Sequence, residues 1–166
     1  MNDALLEKIR ALHIEIERQL QHIGQVNAQP HCAVCTSVCC KESFCRESVD
    51  SAFLRFILGQ RADEYDDATG WFTPGQGCQL DHGRPLVCYE YFCNKFSTAE
   101  LSQSHASIAR ELRAIYANAH QGQHMLIIDD LSVITQPRLQ RIADALQALR
   151  DRLANSPGQA AVEQSR

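Results

Sequence analysis

Eight cysteines stand at positions 32, 35, 39, 40, 45, 78, 88 and 93 of a chain of 166 residues. All of them fall between 32 and 93, and neither flank holds another. Thiolates are soft ligands for zinc, iron and iron–sulfur clusters, so a cluster of this kind is first a candidate metal site. The chain opens MNDALLEKIRALHIEIERQLQHIG, with charges every few residues and no unbroken apolar stretch of a secretory leader. Without such a leader, clustered cysteines read as metal-binding or redox before they read as a disulfide framework. The expectation is a soluble, cytoplasmic protein, since no run of 18 apolar residues is present either.

Within the first group, Cys32-Ala-Val-Cys35 is a C-x-x-C step, which lets two thiolates meet one ion across a tight turn. If the segment coils, Cys32, Cys35 and Cys39 share one helical face, whereas the neighbours Cys39 and Cys40 diverge by about 100°. That pair is therefore expected to serve different metals or opposite sides of one polynuclear centre. Cys78, Cys88 and Cys93 offer three thiolates, and a closed tetrahedral site takes four. The first group (Cys32, Cys35, Cys39, Cys40, Cys45) offers five, so one thiol is expected to cross. His82 is the rival fourth ligand, with His31 a weaker candidate beside Cys32.

Zinc is the first expectation and iron or an iron–sulfur cluster the second. The bacterial ferredoxin run would need a cysteine where Val38 stands, and the plant-type run from Cys40 one where Ser48 stands. A C-x3-C-x2-C run from Cys35 would need one at Glu42. These mismatches reject particular motifs, because cluster ligands can also come from distant segments. A thioredoxin-like dithiol at Cys32 and Cys35 would need a strand before it, and a Gln-Pro-His linker stands there instead.

The first cysteine group, together with Gly77-Cys78-Gln-Leu-Asp-His-Gly-Arg84-Pro85-Leu-Val-Cys88-Tyr-Glu-Tyr-Phe-Cys93, resembles the zinc- or iron-chelating cysteine-cluster family (YkgJ-like, CxxCxxCC type). The resemblance covers roughly positions 30 to 96 and departs in one place, where three residues instead of two separate Cys35 from Cys39. It implies that all eight cysteines chelate metal. The family includes domains attached to a protein lysine methylase, so an iron–sulfur-dependent enzyme or redox protein is the alternative it brings. A helical interaction module with purely structural zinc is the second alternative. No glycine-rich phosphate loop or G-x-G-x-x-G occurs, and no catalytic residue is assigned.

Other side chains carry weaker signals. Arg84 can offset part of the charge of a thiolate-rich centre, or simply stabilise a turn. Asp63, Glu64, Asp66 and Asp67 read as a solvated acidic loop. His105 lies on an apolar helical stripe and reads as packing; His120 and His124 read as solvated loop across Gly122. Asp129 and Asp130 follow an apolar run at no spacing that points to acid–base work. Sixteen basic against twenty acidic residues, a net charge of -4, exclude a phosphate-driven nucleic-acid binder and a polybasic membrane anchor. A metal ion is the partner the residues call for, and a protein partner stays open.

The elements that must position these ligands are helical. Leu5, Ile9, Leu12, Ile16, Leu20 and Ile23 form a stripe over about 3–23, with Glu7, Lys8, Glu15, Glu17 and Arg18 between them and Gly24 as the stop. Pro30 then marks the start of an irregular, turn-rich cysteine lobe over 30–96, with little apolar area of its own and held by metal. Inside it Val49, Phe53, Leu54, Phe56 and Ile57 predict one short helix closed near Gly59. Thr-Pro-Gly-Gln-Gly and Asp-His-Gly-Arg-Pro predict two tight turns with short extended arms, and Tyr89 to Phe92 one helical turn. Ser97 and Glu100 form a capping box for a helix over 97–119 with Leu101, His105, Ile108, Leu112 and Ile115 as its stripe. Met125 to Ile128 suit a strand or a buried connector. Thr135, Pro137 and the stripe Leu139, Ile142, Leu146, Leu149, Leu153 predict a helix over 136–154. The fold class is thus mainly α, a single domain over 1–155, with a disordered tail over 156–166.

Overall fold

A computed structural model describes residues 3–33, 42–90, 99–116 and 134–155; of residues 22–33, 42 and 99–102 it describes the backbone alone. The described residues form six helices: α1 (Asp3–Ala33), α2 (Glu42–Asp50), α3 (Ala52–Leu58), α4 (Val87–Glu90), α5 (Ala99–Tyr116) and α6 (Gln136–Ala154). A 3-10 turn over Gly59–Glu64 and two short strands, β1 (Phe72–Thr73) and β2 (Gly77–Cys78), lie between α3 and α4. The strands pair antiparallel, Phe72 opposite Cys78 and Thr73 opposite Gly77, around the Pro74-Gly75-Gln76 turn. The mainly α prediction holds. Residues 91–98, 117–133 and 156–166, and with them Ser97, His120, His124, the Met125–Ile128 run, Asp129, Asp130 and the tail, lie outside the described residues.

The main core is where the apolar stripes meet. Ile9, Leu12, Ile16 and Leu20 of α1 pack with Phe53, Leu54 and Ile57 of α3, Ala109, Leu112 and Tyr116 of α5, and Leu139, Ile142, Ala143, Leu146 and Leu149 of α6. Periodicity suffices to place these side chains, because any apolar group of suitable size gains about 25 cal/mol per Å² on leaving water. The last helix has the predicted limits, with Pro137 in its first turn; the Thr135 side chain, however, makes no capping hydrogen bond. Among the described residues no helix is long and apolar enough to cross a membrane.

Three expectations about local structure are corrected. The first helix does not stop at Gly24 but runs through Pro30 to Ala33, so Cys32 lies on its last turn. An interior glycine costs a helix only about 1 kcal/mol and a proline about 3 kcal/mol, local penalties that a long helix anchored by core packing can carry. The single helix predicted before Gly59 is two, because Ser51 leaves the helical region and its side chain accepts a hydrogen bond from Leu54 N to start α3. Gly59 closes α3 as predicted, at φ +60°.

The third correction concerns the lobe. It has an apolar cluster of its own: Cys45 of α2, Leu58, Trp71 and Leu80, with Val49, Ala62, Tyr65 and Cys78 packed against it. Trp71 is only 4% exposed, and its indole N–H donates to Ser48 Oγ at 2.7 Å, while Ser48 donates to Cys45 O at 2.6 Å. An indole supplies large area from one residue and needs one polar partner, which is how a segment poor in aliphatic residues still builds a core. Gly70, at φ +60°, brings the backbone against Cys45: an added Cβ would stand 3.1 Å from the cysteine Cβ.

Candidate metal centre

Of the eight predicted ligands, Cys45, Cys78 and Cys88 have described side chains; Cys35, Cys39, Cys40 and Cys93 lie outside the described residues, as do the side chains of Cys32 and His31. Cys45 is buried, 7% exposed, in the Trp71 cluster. Cys78 ends β2 and Cys88 lies in α4, both half-buried. Among the described residues no three His, Cys, Asp or Glu side chains converge as a metal-binding group.

The connection that leads from Gln79 to Cys88 is held by directional bonds rather than by a ladder. Gln79 N donates to Trp71 O at 2.8 Å, and the Arg61 guanidinium reaches Gln79 O at 3.1 Å and the Asp81 carboxylate. Arg84 folds back on its own loop, with Nε and Nη2 donating to Leu80 O at 3.0 and 2.6 Å. Gly83 adopts φ +74°, and an added Cβ would lie 2.6 Å from Leu58 Cγ, so both conformation and space call for glycine. Cys88 N and Tyr89 N then donate to Pro85 O and Leu86 O at 2.9 and 3.0 Å, opening α4.

From α1, Glu17 accepts from Gly83 N at 2.6 Å, Arg84 N at 2.9 Å and Tyr89 Oη at 2.7 Å. Gln21, one turn on, donates from Nε2 to Asp81 O at 2.7 Å. His13, one turn before, places Nε2 3.4 Å from Glu17 Oε2 and shares a 2.9 Å hydrogen bond with the Tyr116 hydroxyl through Nδ1. Glu17 and His13 are each 0% exposed. Burial by itself would raise the Glu17 carboxyl, but His13, Tyr89 and the Gly83 N–H together hold it below its ordinary value. Burial, and next to it Glu17, push the Tyr89 and Tyr116 phenols well up, so both stay protonated and Tyr89 donates to Glu17.

Glu17 overturns the placement that the sequence predicts, a charge on the solvent side of α1. Its signal lies in the spacing: His13, Glu17 and Gln21 form a row at steps of four beside the apolar row Ile9, Ile16 and Leu20. A polar row adjoining an apolar one lies at the edge of the buried face, where it can reach turns of other segments.

Arg84 is where this network meets the cysteines. Burial works against its charge, yet Cys78, Tyr89, Cys88 and Glu17 nearby outweigh burial and hold the guanidinium above its usual pKa. Two of the eight thiols are thus among its neighbours. His82, the rival ligand, is 8% exposed, with Nδ1 2.8 Å from Asp81 Oδ1 but off the line of a hydrogen bond. His105 is a packing residue as predicted, buried with Nε2 3.0 Å from Leu20 O. The acidic loop is exposed, and Asp66 Oδ1 accepts from Ala68 N and Thr69 N at 2.8 Å each, a turn rather than a cation site. A groove between α5 and α6 holds none of these groups; its Arg152 and Glu111 pair with each other at 2.6 Å. Compared with known proteins, the chain matches no family model, no curated protein and no solved structure.

Proposed function

We propose that this protein binds a metal ion through its cysteine cluster, zinc in the first place and iron or an iron–sulfur cluster in the second. The observation that carries the reading is the seat of Arg84, a half-buried cation fixed on Leu80 O at 3.0 and 2.6 Å on the connection between Cys78 and Cys88. A guanidinium cannot be discharged, so it can offset part of the charge that four thiolates place on a metal. Cys78 and Cys88 would hold the metal, joined by ligands from the remaining cysteines of the cluster. Zinc so bound would close the lobe as a tetrahedral structural site. The motif resemblance to the cysteine-cluster family supports the same assignment.

Elemental analysis and the visible spectrum of protein purified without oxygen test the proposal. The expected result is bound metal that is lost on Cys78→Ser and on Cys88→Ser. A colourless, zinc-loaded protein supports the first choice, and a brown one with iron and sulfide supports the second. Protein never exposed to chelator or oxidant that carries no metal would overturn the reading.

A further inference from the structure

The connection between Cys78 and Cys88 is short of repetitive structure, so the relative placement of the two cysteines depends on side chains that grip it. Glu17 stands out among these. It is fully buried, and its carboxylate oxygens are occupied by Gly83 N, Arg84 N and Tyr89 Oη, all from the one stretch 83–89 around Cys88. Burying a carboxylate is expensive, and a well-packed apolar side chain in its place is often as stable or more so. Helix packing gives no reason for an acid here. What a carboxylate does that an apolar group cannot is hold two successive backbone N–H groups and a hydroxyl in one fixed arrangement.

We propose that Glu17 is the positioning residue of the cysteine site: from α1 it fixes the Gly83–Arg84 backbone and Tyr89, and thereby the placement of Cys78 and Cys88 about Arg84. This rests on the metal reading above. The chain of contacts is continuous. Arg84 N is held by Glu17, the Arg84 side chain returns to Leu80 O two residues after Cys78, and Tyr89 follows Cys88 directly in α4. His13 completes the arrangement by facing Glu17 on one side and Tyr116 on the other. Metal affinity is therefore expected to depend on a carboxylate that is not itself a ligand.

The test titrates the full chain, reduced and freed of metal, with Co2+ and then with Zn2+ in competition. Glu17→Gln keeps the size but replaces one acceptor by a donor, and is expected to weaken binding about 10- to 100-fold, the usual effect of disturbing groups behind metal ligands. The number of ions bound stays the same, and the thiolate-to-Co2+ absorption changes shape. Tyr89→Phe, which removes one of the three hydrogen bonds, is expected to weaken binding less; it carries the test if Glu17→Gln does not fold. Leu146→Ala, in the main core, lowers the melting temperature and leaves affinity unchanged. Affinity and Co2+ spectrum of the folded Glu17 variant, or failing that of Tyr89→Phe, equal to those of the original chain would overturn the inference. So would an equal loss of affinity in Leu146→Ala at equal loss of stability. An original chain that binds neither ion defeats the metal reading and this inference with it, whereas binding indifferent to Glu17 defeats the inference alone.

Discussion

Helix α1 serves two regions that are built on opposite terms. Along one row, Ile9, Leu12, Ile16 and Leu20 meet α3, α5 and α6 through area alone, and a neighbour can be exchanged for another of like volume. Along the adjoining row, His13, Glu17 and Gln21 meet the 79–90 segment and one another through single atoms at close range. The first kind of contact is tolerant and cumulative. The second is exacting, since leaving one buried donor or acceptor without its partner costs about 1–3 kcal/mol. A helical scaffold can thus be loosely specified while the segment that carries two of the cysteines is set atom by atom.

The largest expected effect comes from changing one side chain in each region. Gly83→Ala must carry a side chain at φ +74° and displace Leu58, and left-handed strain with overpacking together cost about 3 kcal/mol. Leu146→Met, which reshapes a fully buried core side chain, is expected to cost less than about 1.5 kcal/mol. Urea denaturation of both variants checks the pair; equal losses would erase the distinction drawn here. Acid offers a smaller and selective effect. The folded Glu17 carboxyl lies below its ordinary value of 4.5, so its contribution is complete above that pH and falls away as the pH drops through the folded value. Hydrogen exchange below pH 4.5 should show Gly83 and Arg84 amides losing protection before those of α6, and Glu17→Gln should remove that early phase. The smallest effect belongs to the surface. Arg152→Ala breaks an exposed pair with Glu111 and is expected to change stability by under about 0.5 kcal/mol in a thermal melt.

The same contrast explains what could be read from residues alone. The limits of α6, the stop at Gly59 and the hairpin around Pro74-Gly75-Gln76 follow from local rules, which need only neighbours in sequence. The run of α1 through Gly24 and Pro30 escaped those rules because their penalties are small beside the packing of a long helix. Glu17 escaped for another reason: its three connector partners stand 66, 67 and 72 residues away, and charge by itself predicts exposure. The cysteines themselves were conspicuous by type and spacing, and Arg84 stabilises its own turn through Leu80 O, one of the two roles open to it from the sequence. The partner of Trp71, Ser48, gives no sign in sequence, since a serine in a short helix has no preferred distant contact.

Contact distance along the chain also has a consequence for time. His13 waits for Tyr116, 103 residues later, and Glu15 for Arg150, 135 residues later, while α1 packs more extensively on α6 than on any other helix. Helical proteins with local contacts fold fast, and rates fall as the partners lie further apart in sequence. As the chain leaves the ribosome from its N-terminus, the apolar row of α1 cannot be fully covered until α6 is made, although the partners of Glu17 emerge earlier. The cysteine segment emerges before that moment, so its thiols meet solvent while the frame that will position them is still incomplete. Refolding experiments should therefore find the full burial of α1 in a late step.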